Sequence, residues 1–589
     1  MQYKVKSLIK NDFLNTILKE RGIEDPERYI NPKISDIESP LNLDNIDRGY
    51  KLLEKHIQAN SKIALVVDCD CDGYTSAAII YNFLTTYYTV DIDYYIHEGK
   101  QHGLEDMVDR LINQGYGLLI MPDAGSNDFE QQRELNDVGT DILILDHHLV
   151  DDIDENYYLN DEHTVIINNQ LSKKYINKAL SGAGVTWQFC KYCEEMISDW
   201  ASEDSNPPVV NELMDLAAVG IIGDCMDMRN YENRAFSHFG LQTIHNDFLK
   251  AIVVKQAFSL KRSDNISPTG VSFFIAPLIN SIVRVGSTAE KEKMFEAFIH
   301  GLLSVPSTKR GAKNEVELLG EQVAREGANA KNRQDTAVAK AMDVIDMELQ
   351  STGAIYDNSV IIADITETNI NIPTTLNGLV AMKLTDRYKK PVLIVRRNEE
   401  GFLRGSARND GKGEFKDLRT FLLDSGYFEY AQGHENAFGV SINEREVDSF
   451  LKYANEKLKD VNFSDNFYEV EFATDGKDDS IQDFIFEVYN DDTIWGQKND
   501  SPLMCITNVK LSQSDIQVCG ARKDTLRFKY NGITYIMFFA KEDIEKLKNS
   551  GENLVLTIIG EGALNEWNGT VSPQIMIKDY EIGGTIYDF

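Results

Sequence analysis

Through the first third of the chain, short apolar runs alternate with polar segments long enough to form helices. The runs ending at Val66-Val67, and those over Gly117–Met121, Asp141–Leu145 and Thr164–Asn169, have strand length without strict apolar and polar alternation. That is the pattern of strands buried on both faces, and with helix-compatible stretches between them it predicts successive βαβ units and a parallel sheet. Two helical regions come first. Asn15–Ile30 is punctuated by Arg21-Gly22-Ile23 and Asp25-Pro26-Glu27, and Leu41–Ala59 has apolar residues at helical spacing. Gly184–Met196 and the long polar stretch Glu315–Gln350 predict further helices. A second α/β region opens at Ser359–Asp364 and continues through a helix over Gly378–Lys390 and a strand over Pro391–Val395. Beyond Asn462 strand-like runs dominate. Thr525–Tyr530 meets Ile533–Met537 across Asn531-Gly532, a pair that type I′ hairpin turns favour. With Leu554–Gly560 and Ser572–Tyr580 these runs predict a small antiparallel barrel.

The apolar runs of the first region end in carboxylates. Asp68, Asp70 and Asp72 follow Val66-Val67 at alternate positions, Asp123 closes the next run, and Asp146-His147-His148 closes the third. In extended chain alternate residues share a side, so the first three would crowd together and repel. Two readings stay open here: an acidic turn capping the next helix, with Asp72 as N-cap and Gly73 permitting the bend, or a divalent-cation site. Strand ends in an open α/β sheet converge on one edge, which favours the second. The set Asp68, Asp70, Asp72, Asp123, Asp146, His147 and His148 is rich in oxygen and needs no thiolate, so it suits Mn2+ or Mg2+ better than a structural zinc.

A chain of 589 residues exceeds what one core supports and predicts three or four domains. Seven cysteines without a framework spacing fit a reducing cytosol. Cys190 and Cys193 form a CxxC on the predicted Gly184–Met196 helix, with no second ligand pair close in sequence, and read as ordinary thiols. Met1-Gln2-Tyr3-Lys4 does not open a signal peptide, and no apolar run of membrane-spanning length is expected. The expectation is a soluble, cytoplasmic protein without a membrane partner. The net charge of −34 opposes nucleic-acid binding, because phosphate affinity comes from Lys and Arg. The charge is uneven, however: Lys255–Lys340 carries a local +4 and Val380–Arg419 a local +5. These are either ordinary solvated faces or the walls of a basic channel in an acidic body, where focused potential outweighs the total.

Asp68-Cys69-Asp70-Cys71-Asp72-Gly73, Pro122-Asp123-Ala124-Gly125-Ser126-Asn127-Asp128 and Leu145-Asp146-His147-His148 resemble, in this order, the first three motifs of the DHH phosphoesterases. Ala217–Met228, containing Gly223-Asp224 and followed by Glu232-Asn233-Arg234 and Gly240-Leu241, resembles the fourth motif of the RecJ branch, the single-strand-specific exonucleases of recombination and repair. Ser181-Gly182-Ala183-Gly184 resembles the family's glycine-rich helix entry, where close packing competes with phosphate binding as the reading. Phe273–Arg284 resembles a RecJ stretch in which an asparagine precedes an arginine by four, and it retains Asn280 and Arg284. Arg404-Gly405-Ser406-Ala407-Arg408 and Gly433–Gly439 resemble the two signatures of the DHHA1 domain. There Gly405 admits close backbone approach, while Ser406 and the guanidiniums offer donors to phosphate oxygens. The chain departs from the family in four places, one of them within Phe273–Arg284, where Ser281, Ile282 and Val283 replace the usual small residues and glycine. His97, with Lys100 nearby, stands where an arginine is usual; Gln101-His102-Gly103 replaces a glycine-tyrosine-glycine turn; and Gln432 and Glu435-Asn436 alter the second signature, although His434 is kept.

The resemblance implies an α/β protein: a DHH-type parallel-sheet domain joined by a long helix to a DHHA1 α/β domain, plus a C-terminal OB-like β-barrel. The expected boundaries are 1–60 for an N-terminal helical approach, 61–310 for the DHH catalytic domain, 311–352 for the connecting helix, 353–461 for DHHA1 and 462–589 for the OB-like domain. The implied activity is metal-dependent exonuclease action on single-stranded DNA, 5′→3′, with two Mn2+ or Mg2+ ions. Asp70, Asp72, Asp123, His147 and Asp224 are the implied metal ligands, Asp123 bridging. Asp68 ligates or supports them, Asp146 orients His147, and His148 binds or polarises the scissile phosphate. Asn280, Arg284, Arg404, Gly405, Ser406, Arg408 and His434 are the implied substrate contacts. The family also implies a single-stranded DNA-binding protein and a helicase as partners. The alternatives are an oligonucleotide or dinucleotide phosphodiesterase, a DHH pyrophosphatase, and a catalytically silent replication scaffold, whose mark would be lost ligands.

Overall fold

The computed structural model describes every residue except 7–10, 100, 151–152, 199–208, 261–265, 313, 369–371, 412–414, 464–466, 568 and 586–589. Lys100 therefore lies outside the described residues. The chain divides into two compact units, one of Arg21–Asp335 with Thr493–Asp500, the other of Met1–Glu20, Thr336–Asp492 and Ser501–Phe589.

The first of these units is built on a five-stranded sheet. Its strands lie in the order Asp91–Ile96, Lys62–Val67, Leu118–Pro122, Asp141–Asp146 and Thr164–Asn168, all parallel. Ile63, Leu65 and Val67 pack into one core and Ala64 and Val66 into another, so successive side chains leave the pleat in opposite directions and both are buried. The chain winds one way from Lys62–Val67 to its neighbour Asp91–Ile96 and the other way to Leu118–Pro122. The order reverses between Lys62–Val67 and Leu118–Pro122, and ligands in open α/β sheets bind in the crevice outside such a switch point.

Helices cover both faces. Cys71–Tyr87, Gly182–Ser198 and Met214–Gly223 pack against one another. Cys190 and Cys193 lie wholly buried on the second of these helices, where burial pushes both thiols up, and they form no metal group among the described residues. Contrary to expectation, one helical stretch among the described residues, Pro268–Val285, is long and apolar enough to cross a membrane; 56% of it is buried inside the protein. A helix enclosed by a core is apolar on most sides for the same reason a spanning one is. A π-helical turn over Val271–Ile275 leads into its last segment, Ala276–Val285.

The long helix Leu319–Thr352 passes from this unit into the other at Thr336. There a five-stranded mixed sheet has the order Phe428–His434, Ala437–Asn443, Phe402–Arg408, Val392–Arg397, Ile361–Asp364. A seven-stranded sheet follows, and Asn531 and Gly532 take the positive φ values, 48° and 78°, that a type I′ turn requires. Its pairing is not purely antiparallel: Phe472–Asp475 and Met504–Ser512 run parallel, as do Ile533–Met537 and Thr570–Thr585.

Residues 1–60 do not stay together. Gln2–Val5 pairs in parallel with Phe467–Val470, and Phe13 meets Phe472 and Phe484 edge-on at 5.4 and 5.1 Å. An open strand edge and an aromatic cluster hundreds of residues away capture the start of the chain, which no local signal announces. Conversely, Thr493–Asp500 leaves the C-terminal region: Asn499 Nδ2 donates to Tyr29 Oη at 3.1 Å and the Arg21 guanidinium lies over the Trp495 ring.

Candidate metal centre

The carboxylates converge beyond the switch point, although not by the expected geometry. The strand stops at Val67, and the next helix starts at Cys71 with Asp70 as its N-cap, accepting from the Gly73 N–H at 3.1 Å. Asp68 and Asp70 belong to the connection, whereas Asp72 sits in the first helical turn. Alternate spacing along a strand therefore does not gather the three, and the cap is Asp70, not Asp72. The turn packs tightly, since a Cβ on Gly73 would lie 2.6 Å from Asp68 Cβ. Asn280 fastens it by accepting from the Cys71 N–H at 3.0 Å.

Asp72 is wholly buried and points to the entry of another helix. Ser181 Oγ donates to its Oδ1 at 2.8 Å, the Gly182 N–H to its Oδ2 at 2.8 Å and the Ala183 N–H to its Oδ1 at 3.2 Å. The Ser181–Gly184 motif thus holds a carboxylate of the protein itself at a helix N-terminus. It also admits Asp123, because a Cβ on Gly182 would stand 2.3 Å from Asp123 Oδ1. Asp123 follows its strand with φ of 68°, a left-handed conformation that Asp tolerates better than most residues. Asp224 C-caps the Met214–Gly223 helix.

Three overlapping groups of donors result here, one of them Asp123, His147 and His148. Asp72, His147 and Asp224 offer ligand atoms within 4.8 Å of one another, and so do Asp68, Asp70 and Asp123. Asp123 also joins the first group, with Oδ1 3.3 Å from His147 Nε2; Asp224 Oδ2 stands 3.5 Å and Asp72 Oδ2 4.0 Å from the same nitrogen. Burial, then the neighbouring carboxylates, pushes Asp123 and Asp224 well above the usual carboxylate range. Asp72 is pushed up to about 6, chiefly by burial. Asp123 Oδ1 and Asp68 Oδ1 are buried without a hydrogen-bond partner. Buried carboxylates with unmet oxygens around one imidazole fit a hard divalent cation, which would remove the mutual repulsion and satisfy the orphaned atoms.

Asp146 plays a different part. Its Oδ1 accepts from His148 Nδ1 at 2.8 Å and from the backbone N–H of His147 at 2.7 Å, and its Oδ2 accepts from the Ser126 N–H at 3.1 Å. It therefore orients the ring of His148, whereas the resemblance implies His147. The side chain two residues on can swing back to the strand end, while His147 turns into the acidic cluster. Burial would raise Asp146, yet its donors hold it well below the usual carboxylate range. Burial would lower His148, yet Asp146 holds it up at about 9.

One turn beyond Asn280, Arg284 faces the same region; burial pushes its guanidinium down while Asp70 opposes that shift. The remaining sequence candidates lie on the mixed sheet of the other unit. Arg404, Ser406 and Arg408 alternate along Phe402–Arg408 and so share one face, with Arg396 paired beside Arg404. Gly405 is needed for the sheet itself, since a Cβ there would stand 1.9 Å from Ile394 O. The Arg408 guanidinium donates to Ala407 O at 2.7 Å. Asn436, a departure in the second signature, accepts from Asn409 Nδ2 at 2.9 Å and donates to Lys416 O at 2.6 Å, clipping two loops together. His434 ends its strand, and its side chain lies outside the described residues.

An acidic, imidazole-bearing edge at the switch point of a parallel sheet is a candidate divalent-cation centre of the kind that metal-dependent phosphoesterases use. The DHH family N-terminal domain matches residues 62–221, and the RecJ OB domain matches residues 479–579. The Bacillus subtilis protein named "Putative SPbeta prophage-derived single-strand DNA-specific exonuclease YorK" is 37% identical over 579 residues, 97% of this chain and 96% of its own. The single-stranded-DNA-specific exonuclease RecJ of Bacillus subtilis is 25% identical, over 98% of this chain and 69% of its own. The crystal structure of RecJ from Thermus thermophilus in complex with Mn2+ shares the fold, with a TM-score of 0.71 at 18% identity over 98% of this chain and 79% of that one. The chain belongs to the RecJ-type single-strand-specific exonucleases of the DHH family.

Proposed function

We propose that this protein is a metal-dependent exonuclease that shortens single-stranded DNA, with 5′→3′ polarity carried over from the family. The observation that carries the reading is the pair of donor groups with Asp123 common to both. We assign Asp72, His147 and Asp224 to one Mn2+ or Mg2+ ion, Asp68 and Asp70 to a second, and Asp123 to both. Divalent ions held there supply Lewis-acid activation of a water and neutralise charge on the phosphorus oxygens. The protein's own groups do the rest. His148, protonated at Nδ1 against Asp146, leaves its Nε2 side to bind the scissile phosphate. Arg284 draws the phosphate toward the cluster, and Asn280 keeps the first helical turn in place. The side chains of Arg404, Ser406 and Arg408 donate to phosphate oxygens of the DNA strand, and the OB domain holds its bases. Among the described residues the ligand set is complete, which supports an enzyme over a silent scaffold, and the matched OB domain favours a long strand over a dinucleotide.

Replacing Asp123 with Ala tests the assignment. The expected result is a loss of nearly all hydrolysis together with reduced Mn2+ stoichiometry in a folded protein; undiminished hydrolysis would overturn it.

A further inference from the structure

Beside the oxygen-rich centre lies a second type of donor set, of which the hydrolytic reading uses only Asp68. Cys69 Sγ stands 3.5 Å from His102 Nε2 and 3.7 Å from His102 Nδ1, and that Nδ1 is 2.6 Å from Asp68 Oδ2. One ligand atom from each of Asp68, Cys69 and His102 lies within 4.8 Å of the others. The chain on either side of His102 is held by hydrogen bonds. Gly103 has φ of 78°, and the next N–H, that of Leu104, donates to Asp128 Oδ2 at 2.8 Å. Lys291 Nζ donates to the carbonyls of His97, Glu98 and Gly99 at 3.2, 2.9 and 3.3 Å, fixing the other end.

A separate observation points to the same place. The His97 side chain is fully buried, and its Nδ1 is fixed by Asp106 Oδ1 at 2.9 Å, the arrangement in which a histidine presents its other nitrogen to a metal. Its Nε2 has no hydrogen-bond partner and faces Asp68 Oδ1 at 3.6 Å, an oxygen that also has none. Asp68 is thus approached by an imidazole from each side: the His102 side is a hydrogen bond of 2.6 Å, whereas on the His97 side neither facing atom has a hydrogen-bond partner.

We propose that Asp68, Cys69 and His102 form a further cation site, adjoining the catalytic centre but of different chemistry, which takes a thiophilic divalent ion of the zinc class. Thiolate and imidazole select such ions over Mg2+ and Mn2+. Zinc bonds of about 2.3 Å to sulfur and about 2.0 Å to nitrogen at a tetrahedral angle separate the two donors by about 3.5 Å, as Cys69 and His102 are separated already. The half-exposed His102 would turn one ring nitrogen toward the ion and release Asp68 Oδ2 for the three donors to close on it, with the fourth position open to solvent. Because Asp68 is shared with the donor group of Asp70 and Asp123, an ion here alters the catalytic centre directly.

Cobalt titration of the full chain, with Mg2+ in excess to occupy the oxygen-rich sites, tests this without reference to hydrolysis. A thiolate-to-cobalt charge-transfer band is expected, saturating at one equivalent and displaced by Zn2+. C69S and H102Q should lose the band, and C225S, which removes the exposed thiol next to Asp224, should keep it. H102Q changes an exposed side chain, and its thermal transition verifies folding. A wild-type protein without the band, a band retained in C69S, or a band lost in C225S would overturn the proposal.

Discussion

Replacing Gly220 with alanine adds one methyl group at the point where three elements meet. The new Cβ would stand 2.4 Å from Asp72 Oδ1, 2.5 Å from Ala183 Cβ and 2.6 Å from Thr75 Oγ1. Ordinary contacts lie at about 3.5 Å, so something must retreat by about 1 Å. Ala183 and Thr75 are enclosed in helices of the core, which leaves the Asp72 carboxylate to move, against the donors Ser181 Oγ, Gly182 N–H and Ala183 N–H that hold it. Overpacking of this kind costs about 1 to 3 kcal/mol of stability. A 1 Å misplacement of a catalytic group costs about 100-fold in rate. The expected outcome for G220A is therefore kcat/KM on a single-stranded oligonucleotide lowered about 100-fold, with weaker Mn2+ binding by calorimetry and a thermal transition only modestly lowered. S181A, which removes one donor without crowding, should lose about 10-fold, the worth of one hydrogen bond to a charged acceptor. Wild-type Mn2+ affinity and turnover in G220A would refute the placement of Asp72 in the centre.

The remaining expectations concern charge and packing. His148 is held up at about 9 by Asp146, so the pair contributes stability that is full below the ordinary imidazole pKa and lost as pH rises through about 9. In D146N burial is opposed only by Asp224 and Asp68, so the upper limb of the pH–rate profile should move down from about 9 and the rate at pH 8 should fall; an unmoved limb would remove His148 from the mechanism. G405A should disrupt the mixed sheet, because its Cβ would stand 1.9 Å from Ile394 O, and limited proteolysis should open that unit while Mn2+ binding by the DHH unit persists; a fully resistant G405A would contradict the strand register.

The strands of the DHH sheet, the Asn531-Gly532 hairpin and the acidic strand ends were legible because each rests on local chemistry: apolar runs, a turn pair, a terminal Asp. What was not legible depends on partners distant in the chain. Nothing near Gly73 shows that the helix begins early enough to carry Asp72 away from Asp68 and Asp70 toward Ser181, 109 residues on. The glycine-rich entry was visible as a motif, but its role as the holder of Asp72 and neighbour of Asp123 follows only from the fold. Spacing cannot decide which of two adjacent histidines reaches Asp146, because that depends on how the chain turns after the strand. Gln2–Val5 carries no mark of the edge it joins, and the cluster of Cys69 with His102 spans a loop whose path is set by Asp128 and Lys291.

Digestion of 5′- and 3′-end-labelled single-stranded DNA, with Mn2+, Mg2+ or excess chelator, tests the central claim most directly. The predicted result is stepwise release of mononucleotides from the 5′ end in the presence of either ion, none in chelator, and little action on duplex. Internal cuts, hydrolysis that persists in chelator, or intact strands with both metals would contradict it.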